Sequence, residues 1–220
     1  MTGLRRNDKI CLNNMKSTKS KIIIVLGPTS SGKSDMAVEI AKKINGEIIS
    51  ADSRQVYKGM DIGTGKITKR EMKGVTHYLL DVANPKKVFT VVDYEKLAKK
   101  AIEKIISKKK VPIICGGTGF YIQSITDDVN IPDVPINNKL RKELSKKTTN
   151  ELFAILKKLD KRRAENIDSK NPVRLIRAIE IAKAIGKVPE FQKTPTDKFN
   201  LLMIGLNLKK EKLEERIKIR

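Results

Sequence analysis

The residues from Gly27 to Ser34 match the pattern G-x-x-x-x-G-K-[ST] of a phosphate-binding loop. Its glycines allow a tight bend in which successive backbone N–H groups converge on an anion. Lys33 adds a mobile positive charge, and the Ser34 hydroxyl can reach a metal ion held by the phosphates. A glycine-rich turn without a ligand is the alternative. The residues that we expect to bind a diphosphate or nucleotide are Gly27, Pro28, Thr29, Ser30, Ser31, Gly32, Lys33 and Ser34.

Two elements must flank such a loop for the motif to hold. The apolar run 22–26 before it predicts a buried parallel strand. The apolar positions between Met36 and Ile44 after it are spaced as one face of a helix. Strand, loop and helix are the required context, and the helix N-terminus adds partial positive charge at the anion.

A carboxylate follows the second strand of the pattern. Residues 47–50 form a short apolar run, and Asp52 comes directly after it. Ligands of open α/β sheets lie beyond the carboxyl ends of the strands, so we expect Asp52 on the rim that carries the phosphate loop, on a neighbouring strand. Three roles are open to it: proton acceptor, indirect metal ligand, or cap of the following turn.

The remaining pattern completes an α/β fold. Further strands are predicted near 77–82, 111–115 and 201–206, with helices between them. We predict a P-loop NTPase-like parallel sheet flanked by helices, formed by residues 21–125 and 167–220. Residues 1–20 are expected to form a flexible basic tail, and residues 126–166 a small helical insertion. The last helical pattern runs to Arg220 without a cap, so we expect a C-terminally incomplete core domain.

The composition indicates which class of partner the chain binds. Lys and Arg number 47 against 25 Asp and Glu, which gives a net charge of +22 and favours a polyanion such as nucleic acid. A lysine-rich surface that is merely solvated is the alternative. Aromatic residues make up 4%, too few for a single-strand stacking platform. Two cysteines form no disulfide framework, which favours a reducing cytoplasm, and no segment resembles a signal peptide or a membrane span.

An ordered set of motifs resembles the tRNA dimethylallyltransferase family. Besides the phosphate loop, the set runs Ala51-Asp52-Ser53-Arg54-Gln55-Val56-Tyr57, Met60-Asp61-Ile62-Gly63-Thr64-Gly65-Lys66, Gly116-Gly117-Thr118-Gly119-Phe120-Tyr121 and Asn171-Pro172-Val173-Arg174-Leu175-Ile176-Arg177-Ala178-Ile179-Glu180. Only the phosphate loop is specific by itself, but the order of the whole set is specific. Family members commonly carry a His-His pair where this chain has His77-Tyr78.

The resemblance implies transfer of a dimethylallyl group from dimethylallyl diphosphate to the N6 amine of an adenosine beside the anticodon of tRNA. It implies catalytic roles for Asp52, Thr118 and Lys33, with Asp52 accepting the proton. It also implies Mg²⁺ as cofactor with Ser34 as its contact, and a late arginine pair, Arg216 and Arg220, that clamps the diphosphate. The adenine must leave its stack to react, so base flipping is expected.

The resemblance further implies which residues meet the RNA. They are Asp52, Ser53, Arg54, Gln55, Thr118, Arg141, Arg174, Leu175, Ile176 and Arg177. Arg174 and Arg177 are spaced as phosphate contacts on one helix face, although a solvated face is an equally simple interpretation. We expect the insertion to contact tRNA, and we expect a monomer in the cytoplasm with no membrane partner.

Three other functions fit parts of the pattern. A small-molecule kinase that uses ATP has the same loop, and Arg141, Arg162 and Arg163 in the insertion could serve as its lid. A prenyltransferase acting on free adenine nucleotides lacks the need for a basic RNA surface. A nucleic-acid-binding module without catalysis would leave Asp52 without a chemical role.

Overall fold

The computed structural model describes residues 19–127, 131–190 and 194–219. The chain divides into two compact units, one comprising the residues up to Thr126 and from Pro195 onward, the other Asp127–Thr194. The elements in chain order are β1 (Ser20–Leu26), α1 (Lys33–Ile44), β2 (Gly46–Ser50), α2 (Lys69–Met72), β3 (His77–Tyr78), α3 (Val91–Ser107), β4 (Val111–Gly116), α4 (Gly119–Thr126), α5 (Asn138–Leu144), α6 (Thr149–Leu159), α7 (Lys161–Glu165), α8 (Pro172–Ile185), β5 (Phe199–Gly205) and α9 (Lys210–Ile219).

The first unit is built on a parallel sheet with the strand order β3-β2-β4-β1-β5. Leu26 at the end of β1 pairs with Gly116 at the end of β4, and Ser50 at the end of β2 pairs with Cys115. Because the ends of these three strands are level, the segments that follow them emerge on one edge of the sheet. The predicted α/β class is therefore confirmed.

One expectation about strand neighbours is wrong. The strand before Asp52 (β2) was expected to lie beside the strand before the phosphate loop (β1). In the structure, β4 lies between β2 and β1. The backbone that follows β2 passes close to the end of β4 at Gly116, where a Cβ atom would lie 2.1 Å from the Ala51 carbonyl oxygen. Because glycine has no side chain, the backbones of Ala51 and Gly116 can lie this close together.

Aliphatic side chains alternate between the two faces of this sheet. Ile22 and Ile24 of β1 belong to a buried cluster with α3 and α4, whereas Val25 belongs to a cluster with α1. Period-two alternation in β1 thus directs side chains to opposite faces, as in a sheet covered by helices on both sides.

Local signals set the helix ends. Asn45 ends α1 in the left-handed conformation (φ 53°), as an Asn-Gly pair predicts. Thr90 and Asp93 form the predicted capping box of α3. Asn171 caps α8 with Pro172 as its first residue, and Gly186 ends it. Each of these signals acts within about one helical turn, so spacing alone predicts it.

The second unit is helical and larger than the predicted insertion. Its core contains Leu152 and Leu156 of α6 together with Leu175, Ile179 and Ala182 of α8. The boundary predicted at residue 167 is therefore corrected, since α8 packs with α6 and the unit continues to Thr194. Residues 1–18 of the predicted basic tail lie outside the described residues.

Among the described residues, no helix is both long enough and apolar enough to span a bilayer.

Candidate active site

The phosphate loop joins β1 to α1 in a conformation suited to an anion. Ser30 (φ 62°) and Gly32 (φ 87°) are both left-handed, and the Ser31 N–H donates to the Pro28 carbonyl at 3.3 Å. Alternation of right- and left-handed residues turns successive N–H groups toward one point. The loop therefore forms an anion nest at the N-terminus of α1.

Two hydroxyls of the loop have no hydrogen-bond partner among the described residues. The Oγ atoms of Ser30 and Ser31 are buried, and Ser31 is 5% exposed. A buried hydroxyl without a partner costs free energy, and such groups occur at strained or functional positions of native proteins.

Two basic side chains contact this loop. Lys33 Nζ donates to the Pro28 carbonyl at 3.0 Å, which folds the ammonium group back over the nest. Arg216 of α9 donates from a terminal guanidinium nitrogen to the Ser30 carbonyl at 3.4 Å. These residues line one opening of about 480 Å³ together with Ser34. Arg220, the other predicted arginine, lies outside the described residues.

Asp52 performs a local structural task and also faces the loop. Its Oδ1 atom accepts hydrogen bonds from the N–H groups of Arg54 (2.9 Å) and Gln55 (3.4 Å). This is the turn-capping role that the sequence analysis left open. The half-buried carboxyl group nevertheless lines a second cleft together with Lys33 and Ser34, so the capping role and a chemical role are compatible.

Thr118 fixes the backbone beside Asp52. Its N–H donates to the Ala51 carbonyl at 3.1 Å, and its Oγ1 accepts from the Ser53 N–H at 3.0 Å. The Thr118 hydroxyl also lies 3.2 Å from Ser53 Oγ. The segment after β4 thus holds the segment after β2 on either side of the carboxylate.

The cleft between these segments has a volume of about 480 Å³ and brings together most of the predicted site. Its lining residues are Pro28, Thr29, Lys33, Ser34, Asp52, Ser53, Arg54, Gln55, Gly63, Thr64, Gly65, Gly117 and Thr118. No role was predicted for the Gly63–Gly65 part of this wall, although these residues belong to the motif Met60–Lys66 on which the resemblance rests.

His77 and Cys115 line a smaller recess beside Asp52 and Lys33. Burial lowers the pKa of His77, whose Nδ1 atom lies 2.9 Å from the Val75 carbonyl. Burial also raises the pKa of the Cys115 thiol to about 12. Both shifts favour the uncharged form of the side chain, and Asp52 supplies the carboxylate of this recess.

In the second unit, Arg141 and Arg177, which were predicted to contact RNA, form ion pairs with the Glu180 carboxylate. Glu180 is 2% exposed, and its oxygens accept from Arg141 (2.8 and 3.0 Å), Arg177 (2.5 Å) and the Asn137 N–H (2.7 Å). Burial acts to raise the pKa of Glu180, but these hydrogen bonds outweigh it and lower the pKa to about 2. Arg141 therefore ties α5 to α8, whereas the Arg177–Glu180 pair lies within α8.

The other predicted contacts of α8 differ in exposure. The Arg174 side chain is 66% exposed, with Asp168 3.9 Å away. Leu175 is completely buried and Ile176 packs against the same core. The expectation that the Leu175 side chain meets RNA is corrected, because that side chain forms the centre of the helical core.

Comparisons with known proteins identify the family of the chain. The family model described as IPP transferase matches residues 55–220. A tRNA dimethylallyltransferase of Anoxybacillus flavithermus is 43% identical over 200 residues, and one of Pediococcus pentosaceus is 44% identical over 202 residues. Both alignments cover 90% of this chain but only 64% and 65% of the relatives, so the chain spans less than two thirds of their length.

Solved structures give the same result. The full-length tRNA isopentenylpyrophosphate transferase of Bacillus halodurans is 38% identical with a TM-score of 0.62, covering 91% of this chain and 64% of that one. A eukaryotic dimethylallyltransferase, described as acting on tRNA, is 29% identical with a TM-score of 0.76 and coverages of 92% and 52%.

Proposed function

Because this chain belongs to the IPP transferase family, we propose that it transfers a dimethylallyl group from dimethylallyl diphosphate to the N6 amine of a tRNA adenosine beside the anticodon. The bond from N6 to the allylic carbon forms, and the bond from that carbon to the diphosphate oxygen breaks. The diphosphate leaves with the electron pair, and the N6 proton passes to a base.

The phosphate loop supports departure of the diphosphate. Its N–H nest lies at one opening with the cations Lys33 and Arg216. Charge that develops on a leaving group is stabilised by dipoles and cations already in place. The same nest could hold ATP, and the acceptor site decides between the two.

Asp52 is the proposed proton acceptor, and the observation that carries the proposal is its place in one cleft with Lys33 and Ser34. An adenine amine becomes acidic only as it bonds to carbon, so a carboxylate beside it can collect the proton late. Thr118 and Ser53 fix the backbone around Asp52, which keeps the carboxyl group opposite the nest.

Mg²⁺ is the proposed cofactor. Mg²⁺ is commonly bound through few protein ligands together with substrate phosphates, so a single hydroxyl ligand beside the phosphate loop fits it. Ser34 would hold it beside the loop, and the bound ion would neutralise charge on the diphosphate.

The acceptor is proposed to be tRNA because an exposed arginine lines the cleft, a second exposed arginine lies on α8, and the chain carries a charge of +22. Arg54 is exposed and lines the cleft, and Arg174 is exposed on α8. Such side chains contact phosphates without reading sequence. A target base held in a recess must be flipped out of its stack to react.

The test is to incubate the chain with Mg²⁺, tRNA and dimethylallyl diphosphate, and in parallel with ATP in place of the prenyl donor. Nuclease digestion and mass spectrometry are expected to show dimethylallyl-adenosine only with the prenyl donor. Phosphorylated product that depends on ATP would favour the kinase instead. Equal modification of free adenine nucleotides would favour a nucleotide prenyltransferase.

A further inference from the structure

A tight turn that begins with an exposed apolar residue borders the cleft. Gly63, Thr64 and Gly65 form part of the cleft wall, and Ile62 precedes them. The Ile62 side chain is 98% exposed, more than any other large apolar side chain among the described residues. Single exposed apolar residues are common, so the significance of Ile62 depends on its surroundings.

Backbone hydrogen bonds close this turn. The Gly65 N–H donates to the Ile62 carbonyl at 3.0 Å, and the Lys66 N–H donates to the Asp61 carbonyl at 3.0 Å. The side-chain amide of Gln55, itself part of the cleft, donates to the Gly65 carbonyl at 3.2 Å. The turn is thus tied to the segment that carries Asp52.

Lys66 anchors the base of the same turn. It is only 8% exposed, and its Nζ donates to Asp61 (2.7 Å), Asp81 (2.5 Å) and the Tyr57 carbonyl (2.8 Å). Burial acts to lower the pKa of Lys66, but the two carboxylates outweigh it and raise the pKa. A buried cation with three partners holds the turn in one position, so Ile62 is presented to solvent by a fixed support.

When a base is flipped out of a stack, the protein must stabilise the neighbouring bases that lose their stacking partner. Unstacking costs a few kcal/mol, and nucleic-acid-binding proteins commonly insert an aliphatic side chain between neighbouring bases to offset that cost. Such a side chain must be apolar, exposed in the free protein, rigidly supported and next to the pocket that receives the base. Ile62 meets each condition.

We propose that Ile62 is a wedge that enters the base stack of the RNA beside the extruded adenosine. The inference rests on the proposed function and adds to it the side chain that opens the stack. Ile62 contacts the neighbouring bases, while Lys66 acts through the turn as a positioning residue. The partner is a stacked single-stranded loop of RNA, not a duplex, because only an open loop gives access to consecutive base faces.

The experiment uses an anticodon stem-loop that carries 2-aminopurine at the target position, whose fluorescence rises when the base is unstacked. The chain is compared with Ile62→Ala, Ile62→Leu and the control Ile44→Ala. Ile44 lies at the far end of α1 from the loop and is 37% exposed. Ile62→Ala is expected to lose most of the fluorescence rise at saturating protein, whereas Ile62→Leu and Ile44→Ala retain it.

Turnover provides a second readout. Ile62→Ala is expected to lower kcat/KM for the stem-loop by about tenfold, the size of effect from losing about two buried methylene groups, with unchanged affinity for dimethylallyl diphosphate. A stem-loop with abasic sugars on both sides of the target adenosine has no stack to part, so Ile62→Ala and the unaltered chain should modify it equally.

Two results would overturn the wedge: equal fluorescence and kcat/KM for Ile62→Ala and the unaltered chain, or no fluorescence rise with the unaltered chain. Because the fluorescence arm needs no prenyl donor, it separates this inference from the proposed reaction. A chain that opens the stack through Ile62 but transfers no dimethylallyl group would leave the wedge standing and refute the proposed function.

Discussion

Replacing Asp52 by Asn distinguishes its role as a turn cap from its proposed role as a proton acceptor. In the structure, Oδ1 accepts from the backbone N–H groups of Arg54 and Gln55, and the side chain also lines the cleft. Asparagine keeps a carbonyl Oδ1 that can accept both bonds and has nearly the same volume. The turn should therefore persist, while the carboxylate that accepts a proton is lost.

The expected magnitudes differ for folding and for chemistry. With the capping bonds retained, the free energy of unfolding should change by about 0.5 kcal/mol or less. A positioned general base contributes roughly 10²- to 10⁴-fold to rate, which corresponds to about 3–5 kcal/mol of transition-state stabilisation. Asp52→Ala removes the acceptor as well, so it should cost about 1 kcal/mol of stability in addition.

The assay combines single-turnover transfer to tRNA, tRNA binding and thermal unfolding for the unaltered chain, Asp52→Asn and Asp52→Ala. Both variants should lose transfer by at least about 100-fold while binding tRNA as before, and only Asp52→Ala should unfold at a clearly lower temperature. A transfer rate for Asp52→Asn close to that of the unaltered chain would refute the assignment and leave Asp52 as a turn cap alone.

Three further predictions concern the diphosphate, the strand ends and acid stability. Arg216→Gln should weaken binding of inorganic diphosphate about tenfold, the usual scale for a charged hydrogen bond, and calorimetry that shows unchanged affinity would contradict this. Gly116→Ala should reduce the melting temperature and the transfer rate together, because its Cβ atom would lie 2.1 Å from the carbonyl oxygen of Ala51; a variant with unaltered melting would contradict the close packing. Burial acts to raise the pKa of the Glu180 and Glu47 carboxyl groups, but hydrogen bonds outweigh it and lower both pKa values from 4.5 to about 2. The partners of Glu47, which lies in β2, are Lys110, Tyr78 and Lys108. Each carboxylate therefore stabilises the fold above pH 4.5, and that stability, about 3 kcal/mol each, is lost as the pH falls toward 2. Denaturant titrations between pH 6 and pH 3 on this chain and on Glu180→Gln should show the smaller pH dependence in the variant.

The active-site loop and its flanking elements could be predicted from the sequence because their causes are local. The spacing of Gly27, Gly32 and Lys33 determines where the N–H groups converge, and apolar periodicity on either side predicts the strand and the helix. The helix ends at Asn45, Thr90 and Asn171 were likewise predictable, since a cap is a contact over about one turn.

The ion pair of Arg141 could not be predicted from local signals. Arg141 and Arg177 have the composition and spacing of phosphate contacts, and both pair with the buried Glu180. The choice between solvent and a carboxylate about forty residues away, as for Arg141, depends on how α5 and α8 pack. Spacing along α8 could predict the Arg177–Glu180 pair, which is three residues apart, but it contains no information about Arg141.

By itself, the sequence determined which groups can do chemistry: an anion nest, a lysine, a carboxylate after a strand and a glycine-rich turn. Only the tertiary structure decided that β4 lies between the nest and Asp52, that Gly116 lets the strand ends pack closely, and that α8 belongs to the helical unit. The physical reason is the sequence separation of the interacting residues. Hydrogen bonds within a turn involve neighbouring residues, whereas strand order and helix packing depend on burying apolar surface contributed by the whole chain.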